Sequence, residues 1–268
     1  MKIMIMTDME GVAGLLNHGD WARPDGRFYA KGMRLLTEEV NAAIDGFITG
    51  GAKEIIVVDG HGPGGIDPEI LDERAKLTRG RNEKIWPWGL DASFAGLAFV
   101  GQHAKAGTPY SHLTHTQSFR FLDMSVNGVS IGEYGQLALC AGELKVPTIL
   151  ACGEKALAIE AEKLTPGVIT VAVKRGLLPD GLDDLDAEEY GKAKISAEHL
   201  APKQARALIR EGARKAVETL KSNPGSFRYT EIKPPYVLVS RVRRQGDSPA
   251  SEVRREHPCS ITALMNGE

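Results

Sequence analysis

The chain has few cysteines, and their number and spacing exclude two kinds of structural site. Cys140, Cys152 and Cys259 are odd in number and too widely spaced for a Cys-x-x-Cys metal site. A secreted protein held together by disulfides would need a denser, paired set of cysteines. We therefore expect reduced thiols and a cytoplasmic location.

The sequence also lacks an excess of charge of either sign and any long hydrophobic run. Its formal net charge is −2, so it offers no general basic surface for nucleic acid phosphates. No apolar run approaches the roughly 20 residues that span a bilayer, and residues 2–6, apolar except for Lys2, are too few for the core of a signal peptide. We expect neither a nucleic acid partner nor a membrane segment.

What the chain does contain is an alternation of buried strands and amphipathic helices. Of its 268 residues, 42% are hydrophobic, which suffices for a sizeable core. Apolar residues recur every three or four positions over residues 29–49 and 200–220, as in amphipathic helices. Short apolar runs at 55–58 and 97–100 predict strands buried on both faces. The sequence predicts an α/β fold with a central, mostly parallel sheet flanked by helices and a smaller C-terminal lobe.

We expect the chain to divide into two regions, with the boundary near residue 174. Residues 1–174 form the α/β core with the candidate metal site described below, and residues 175–268 complete the domain and contribute to oligomerisation. The acid-rich segment 179–194 is interpreted as a solvated excursion. Because two prolines precede the strand at 236–239, we expect this strand at a sheet edge or in a separate small lobe.

The first predicted strand ends in two carboxylates. Asp8 and Glu10 follow residues 2–6, which are apolar except for Lys2, and Met9 lies between the two acids. In an extended segment alternate side chains share a face, so Asp8 and Glu10 point the same way. Two adjacent anions repel each other unless a cation lies between them, and Gly11 permits a sharp exit from the sheet. The pair is a candidate metal site.

Other predicted strands also end in side chains that bind metals. Asp59 and His61 follow the run at 55–58, and His103 follows the run at 97–100. Because ligands in open α/β sheets gather at the carboxyl ends of parallel strands, a single shared site explains them most simply. Glu133 opens a helix of small residues, where it either interacts with the helix dipole or faces inward as a ligand.

These oxygen and nitrogen donors indicate a particular class of metal. The set is Asp8, Glu10, His61, His103 and Glu133. It suits zinc, manganese or cobalt and is too rich in nitrogen for calcium or magnesium. Two ions fit it better than one, with Asp8 as the simplest bridging carboxylate. Such a pair activates a bridging water and clamps a tetrahedral intermediate, which implies hydrolysis of an amide or ester.

A polar loop adds two histidines, His112 and His115, either of which could assist the reaction. We expect no serine nucleophile of the α/β-hydrolase kind and no nucleotide-binding glycine loop.

The segments that carry the candidate ligands share several motifs with one known family. They read T-D-M-E-G at 7–11, V-V-D-G-H-G at 57–62, G-Q-H-A-K-A-G-T-P at 101–109, T-H-T-Q-S at 114–118 and G-E-Y-G at 132–135. Together they resemble the zinc-dependent D-aminopeptidases, self-compartmentalising bacterial enzymes that remove N-terminal D-amino acids from short peptides. The resemblance covers most of residues 1–174 and is weaker afterwards.

The resemblance implies an aminopeptidase with two zinc ions per subunit and a water that bridges them. Asp8 would bridge the two ions, with Glu10 and His61 completing one of them. His103 and Glu133 would complete the other ion. His115 would stand over the metals, assisting attack or holding the intermediate. The family assembles as a decamer of two stacked five-membered rings around an enclosed chamber, so the resemblance also implies a homodecamer that acts on small peptides.

The sequence departs from the family in two places. The family usually begins S-x-D-x-E-G, and Met6 stands here at the serine position. The C-terminal end does not resemble the family's closing helix. Two other functions stay open: a metallohydrolase of another amide or ester bond, and a non-catalytic, metal-stabilised oligomeric module whose arginine-rich segment at 241–255 binds an acidic partner.

Overall fold

A computed structural model describes residues 1–80 and 84–268. The strands are β1 (Lys2–Thr7), β2 (Glu54–Asp59), β3 (Ala75–Thr78), β4 (Gly96–Gln102), β5 (Phe121–Val126), β6 (Val129–Ser130), β7 (Thr148–Glu154), β8 (Ile169–Gly176), β9 (Ala197–His199), β10 (Tyr236–Val242) and β11 (Ser251–His257). The helices are α1 (His18–Trp21), α2 (Tyr29–Thr49), α3 (Glu133–Glu143), α4 (Lys155–Leu164), α5 (Ala187–Ala193), α6 (Pro202–Ser222) and α7 (Ile261–Asn266), and a 3-10 turn spans Pro224–Ser226.

Seven strands form a large sheet in the order β3-β2-β1-β4-β7-β8-β9. Neighbouring strands run parallel, except that β9 is antiparallel to β8. The chain builds one side of the sheet from β1 through β2 to β3 and then continues on the other side with β4. The strand order therefore reverses between β1 and β4, and the carboxyl ends of these strands border a crevice.

Helices and the smaller sheet cover both faces of the large sheet. Along β1, Ile3 and Ile5 point to one face and pack in a core with α2 and α6. Met4 and Met6 point to the other face and pack with residues of α3, α4 and α7. Alternate side chains of this one strand thus contribute to two hydrophobic cores, one on each face of the sheet.

The smaller sheet has four antiparallel strands in the order β11-β10-β5-β6. β10 lies between β11 and β5, so the prediction of an edge position for this strand is wrong and that of a small lobe is right. The two prolines precede the paired residues of β10 and therefore remove none of its ladder hydrogen bonds. Both sheets take strands from either side of residue 174.

The elements agree with the sequence pattern where the periodicity is strong. Helix α2 has the predicted bounds, and α3 begins at Glu133, the residue expected to open it. The segment 179–194 is not a solvated excursion throughout, because α5 forms within it and buries Tyr190 under the guanidinium of Arg243, 3.8 Å from the ring centre. Asp186 caps α5 with a capping box, so part of the acidic run serves helix formation.

The segment 63–87, which links β2 to β4, contains β3 at its centre, and its residues 81–83 lie outside the described residues. All three cysteines are free thiols, with Cys140 and Cys152 buried and Cys259 exposed. Among the described helices, none combines the length and the hydropathy needed to cross a membrane.

Candidate metal centre

The predicted ligands lie together at the carboxyl edge of the large sheet, where the strand order reverses. Asp8 and Glu10 follow β1, His61 follows β2 and His103 follows β4, while Glu133 is the first residue of α3. All of them except Glu133 are buried. The structure thus brings the five side chains and His115 into one cluster.

The exit of the chain from β1 depends on Gly11. Its N–H donates to the carbonyl of Gly101 at 2.7 Å. A Cβ atom on residue 11 would lie 2.1 Å from the carbonyl oxygen of Gln102, far inside van der Waals contact. The close approach is possible only for glycine, and it holds the segment of Glu10 against the segment of His103.

Asp8 lies at the centre of the cluster. Its Oδ1 accepts a hydrogen bond from the N–H of Met9 at 2.8 Å and lies 3.2 Å from Nδ1 of His61. Its Oδ2 accepts a hydrogen bond from Nε2 of Gln102 at 2.9 Å and lies 3.1 Å from Nε2 of His103. Each oxygen faces a different imidazole, which is the arrangement that a carboxylate shared by two metal ions needs.

Glu10 lies on the His61 side of the cluster. Its Oε2 is 3.4 Å from Nδ1 of His61, and its Oε1 is 3.5 Å from Nε2 of His18. His18 belongs to α1 and packs edge-on against Phe119, with ring centres 4.9 Å apart. The sequence analysis did not single out His18 as a group near the metal ligands.

Glu133 and His115 lie on the His103 side. Nε2 of His103 and Nε2 of His115 are each 3.8 Å from an oxygen of Glu133. The two imidazole rings stack with their centres 4.2 Å apart. The N–H of Gln117 donates to Glu133 Oε1 at 2.7 Å and holds this carboxylate in place.

Backbone carbonyls fix which nitrogen of each histidine faces the carboxylates. Nε2 of His61 lies 2.8 Å from the carbonyl of Ala22, and Nδ1 of His103 lies 2.8 Å from the carbonyl of Ala104. His115 is held in the same way through Nδ1, at 2.9 Å. Because a carbonyl only accepts, these nitrogens carry hydrogen, and in a neutral ring the opposite nitrogen presents a lone pair to the cluster. Metal-binding histidines are oriented by the same kind of contact.

The carboxylates favour positive charge among these rings. Burial by itself lowers the pKa of His61 and His103, but the charges of the neighbouring acids raise the pKa of His61 to about 12 and that of His103 to about 10. Burial by itself raises the pKa of Asp8, and the two neighbouring imidazoles, those of His103 and His61, lower it well below its usual value. A divalent cation bound here would replace the protons that the rings take up.

The buried polar atoms without hydrogen bonds test whether a metal fits. Among the described residues, both carboxylate oxygens of Glu10 and Nε2 of His103 are buried and have no hydrogen-bond partner. Such atoms are rare in native proteins, and an unpaired buried carboxylate is costly. All three present lone pairs to the same cluster, and zinc binds carboxylate oxygen and imidazole nitrogen. The residues therefore fit a divalent metal.

A cavity of about 460 Å³ opens onto the cluster, a size typical of small-molecule sites. Its apolar lining includes Met6, Ile85, Trp86, Trp88 and Leu137. The cavity offers a small ligand both a charged floor and a hydrophobic wall.

Two residues that the sequence analysis placed beside the ligands have other partners. Asp59 accepts hydrogen bonds from the N–H of Gly65 at 2.9 Å and pairs with Arg79 at 3.0 Å. His112 is buried with Nε2 3.2 Å from the carbonyl of Leu16, and it does not line the cavity. Of the two loop histidines, His115 faces the cluster.

Sequence reasoning missed two groups that hold the cluster. Gln102, at the end of β4, donates to Asp8. The ammonium of Lys174, at the carboxyl end of β8, is buried and donates to the backbone carbonyl of Glu10. Burial lowers the pKa of Lys174 to about 8. Both follow the strand-end pattern that identified the ligands, so the same pattern could have found them.

The chain does contain one short pattern found in serine hydrolases and one found in nucleotide-binding loops, although neither site was expected. G-x-S-x-G occurs at 128–132, but Ser130 lies within the antiparallel strand β6, bonds to Asp123 and does not line the cavity. G-x-G-x-x-G occurs at 60–65 after β2, but the chain continues through turns to β3 without opening a helix. Neither pattern has the strand, turn and helix that its usual function requires.

Comparison with known proteins gives concordant results. The family model Peptidase_M55, described as D-aminopeptidase, matches residues 1–253. A D-aminopeptidase of Bacillus subtilis (strain 168) is 32% identical over 197 residues, which are 72% of this chain and 70% of that protein. The fold is similar to that of the Zn-dependent D-aminopeptidase DppA from Bacillus subtilis, a self-compartmentalizing protease, with a TM-score of 0.82 and 24% identity over 99% of this chain and 95% of that one.

Proposed function

From the premise that this chain belongs to the D-aminopeptidase family Peptidase_M55, we propose that it is a binuclear zinc aminopeptidase. It hydrolyses the first peptide bond of short peptides whose N-terminal residue has the D configuration. The observation that carries the proposal is the buried cluster around Asp8, in which the lone pairs of Glu10 and His103 have no protein donor.

The five predicted ligands would hold two ions. Asp8 would contribute to both, since each of its oxygens faces a different imidazole. Glu10 and His61 would hold one ion, and His103 and Glu133 would hold the other. When bound, the two ions would lower the pKa of a water molecule between them and stabilise negative charge on the attacked carbonyl oxygen.

His115 is the catalytic residue of the chain. Its Nδ1–H donates to a backbone carbonyl, so Nε2 faces Glu133 and the cavity. In this position Nε2 takes a proton as the water oxygen bonds to the carbonyl carbon. It returns a proton to the nitrogen of the peptide bond as that bond breaks and the shortened peptide leaves.

Groups around the ligands keep the acids in position for this reaction. Gln102 donates to Asp8, and Gln117 donates to Glu133 through its backbone N–H. Lys174 donates to the carbonyl of Glu10 from a buried position. These contacts restrict the carboxylates before substrate binds, which reduces the reorganisation that the reaction requires.

We also propose that the protein is a cytoplasmic homodecamer in which residues 175–268 contribute to subunit contacts. The three free thiols support the location. The assembly is supported by β11, whose residues are exposed except for the last, His257. This strand pairs with β10 and with no second strand among the described residues. An open strand edge of this kind can pair with another chain.

The proposal is tested by the release of D-alanine from D-alanyl-D-alanine. We expect thorough chelation to abolish the release and added zinc to restore it, and release that continues after complete chelation would contradict the proposal. L-peptides and esters in the same assay distinguish a metallohydrolase of another bond. Inactivity on every compound at full metal occupancy would favour the non-catalytic module.

A further inference from the structure

Arg79 gives the cavity a cationic group on its wall. Among the described residues that line the cavity, it is the one arginine or lysine, whereas four carboxylates, those of Asp8, Glu10, Asp59 and Glu133, share the lining. Its side chain is 41% exposed, so the guanidinium reaches both the protein and the cavity.

Contacts on three sides fix the guanidinium of Arg79. One terminal nitrogen lies 3.0 Å from the buried carboxylate of Asp59 and donates to the carbonyl of His61 at 3.4 Å. The other terminal nitrogen donates to the carbonyl of Gly62 at 3.3 Å. One face of the group lies against Gly64, where an added Cβ would be 3.0 Å from the central carbon. The charge is therefore held in place before any ligand arrives.

The contact partner Asp59 is itself held firmly. Its carboxylate accepts hydrogen bonds from the N–H groups of Gly65 and Ile66 at distances of 2.9 to 3.3 Å. This explains why Asp59, although it ends a strand beside the ligands, is not part of the metal cluster. It serves instead to orient Arg79.

Part of the guanidinium stays available to a ligand. Among the described residues, none accepts a hydrogen bond from Nε of Arg79, and the Nε–H lies on the same edge of the fork as one terminal nitrogen. This edge matches the two oxygens of a carboxylate, which arginine binds through two parallel hydrogen bonds.

The distance from Arg79 to the cluster sets the length of the ligand. Arg79 contacts the backbone carbonyl of His61, and Nδ1 of the same histidine lies 3.2 Å from Oδ1 of Asp8. The fork therefore lies within about 12 Å of the Asp8 carboxylate, and two or three residues of extended peptide span about 7 to 10 Å.

We infer that Arg79 binds the C-terminal carboxylate of a di- or tripeptide whose first peptide bond lies at the metal cluster, an inference that rests on the proposed function. Arg79 is then a specificity-determining residue. It selects short peptides with a free carboxylate, because a longer chain would carry its carboxylate beyond the fork. The hydrophobic wall with Trp86 and Trp88 contacts the side chains between the two ends.

The experiment compares D-alanyl-D-alanine with its C-terminal amide as substrates of the zinc-loaded protein. For the wild type we expect kcat/KM to be at least about tenfold higher for the free acid, since a charge-assisted bidentate contact is lost in the amide. In Arg79→Gln, KM for the free acid rises by about tenfold or more and KM for the amide changes by less than about twofold, so the preference disappears. Arg79→Lys retains the charge and part of the preference.

Arg34→Gln is the matched control, because Arg34 is exposed in an ion pair with Glu38 on α2 and does not line the cavity. Equal losses for acid and amide in Arg79→Gln would mean that Arg79 only supports the fold, and would overturn the inference. If Arg79→Gln does not fold, the test is the comparison of the free acid and the amide as substrates of the wild type. Equal kcat/KM values for the two peptides would then overturn the inference. Hydrolysis of neither peptide by the wild type would overturn the proposed function and this inference together.

Discussion

At the scale of single residues, the candidate site is defined by atoms that present lone pairs to one point. Both oxygens of buried Glu10 and the Nε2 atom of His103 lack hydrogen bonds, and backbone carbonyls orient the neighbouring imidazoles. Replacing one donor leaves the others and the surrounding contacts in place. Such changes should therefore affect metal binding more than folding.

Glu10→Gln and His103→Ala test the ligand assignment. We expect each variant to lose about half of the bound zinc and to reduce kcat/KM at least about 100-fold, because each removes a ligand of a different ion. Metal analysis per chain and D-alanyl-D-alanine hydrolysis are the measurements. Glu73→Gln, at an exposed position outside the cavity lining, serves as the control, and it should retain both metal and activity.

Because of His199, we expect the free energy of unfolding to decrease as the pH falls below 6.5. Its Nδ1 accepts a hydrogen bond from the N–H of Gly14 at 3.1 Å, which only a neutral ring can do, and burial lowers the pKa of His199 to about 4. Above the ordinary pKa of 6.5 the ring is neutral in both states and its contribution is complete. As the pH falls from 6.5 towards 4, the unfolded chain takes up the proton first and this contribution is lost.

Denaturant unfolding of the wild type and His199→Asn between pH 8 and pH 4 checks this prediction. The asparagine can accept the same hydrogen bond without titrating, so the loss of unfolding free energy below pH 6.5 should be smaller in the variant. Identical pH profiles would show that His199 does not contribute.

At the scale of helices and strands, the position of the cluster follows from the places where β1, β2 and β4 end. The run of apolar residues followed by acids and histidines was sufficient to predict these ends. Helix α5 was not predictable from composition, because its acidic residues resemble a solvated loop and its buried Tyr190 depends on Arg243 from a distant part of the chain. The role of Asp59 depends likewise on Arg79, whose position no local pattern indicates.

Gly11→Ala should disrupt the contact between the ends of β1 and β4. The new Cβ would meet the carbonyl oxygen of Gln102 at 2.1 Å, and backbone must move to relieve the clash. We expect a loss of about 3 kcal/mol of unfolding free energy together with the loss of metal binding. Gly225→Ala, where no atom lies within 4 Å, should change stability by less than about 0.5 kcal/mol in the same denaturant titration.

Lys174→Met tests how β8 supports the site. The variant removes the hydrogen bond to the Glu10 carbonyl and leaves that buried oxygen unpaired, which costs about 2 kcal/mol. Activity should fall by more than tenfold, because Glu10 is no longer held by its backbone. Lys155→Met, at an exposed position of α4, is the control, and full activity in Lys174→Met would contradict the role of Lys174.

At the scale of the whole molecule, the α/β architecture and the small lobe were predictable because periodicity depends only on local sequence. The pairing of β10 with β5 was not, since it joins residues more than 100 positions apart. Nor does the chain alone reveal how copies associate. The open edge of β11 is the feature of the described chain that best supports association.

Sedimentation of the purified protein tests the proposed assembly. We expect a species of ten times the 29.0 kDa chain mass, and removal of zinc by a chelator should leave this mass unchanged because the cluster lies within one chain. A monomer at all concentrations would contradict the decamer without affecting the metal site.

The central claim is that one cluster of this chain holds two zinc ions, and anomalous diffraction from zinc-loaded crystals tests it most directly. The account predicts two zinc peaks about 3.5 to 4 Å apart, both next to Asp8, one beside Glu10 and His61 and the other beside His103 and Glu133. A single peak, or peaks away from Asp8, would contradict it.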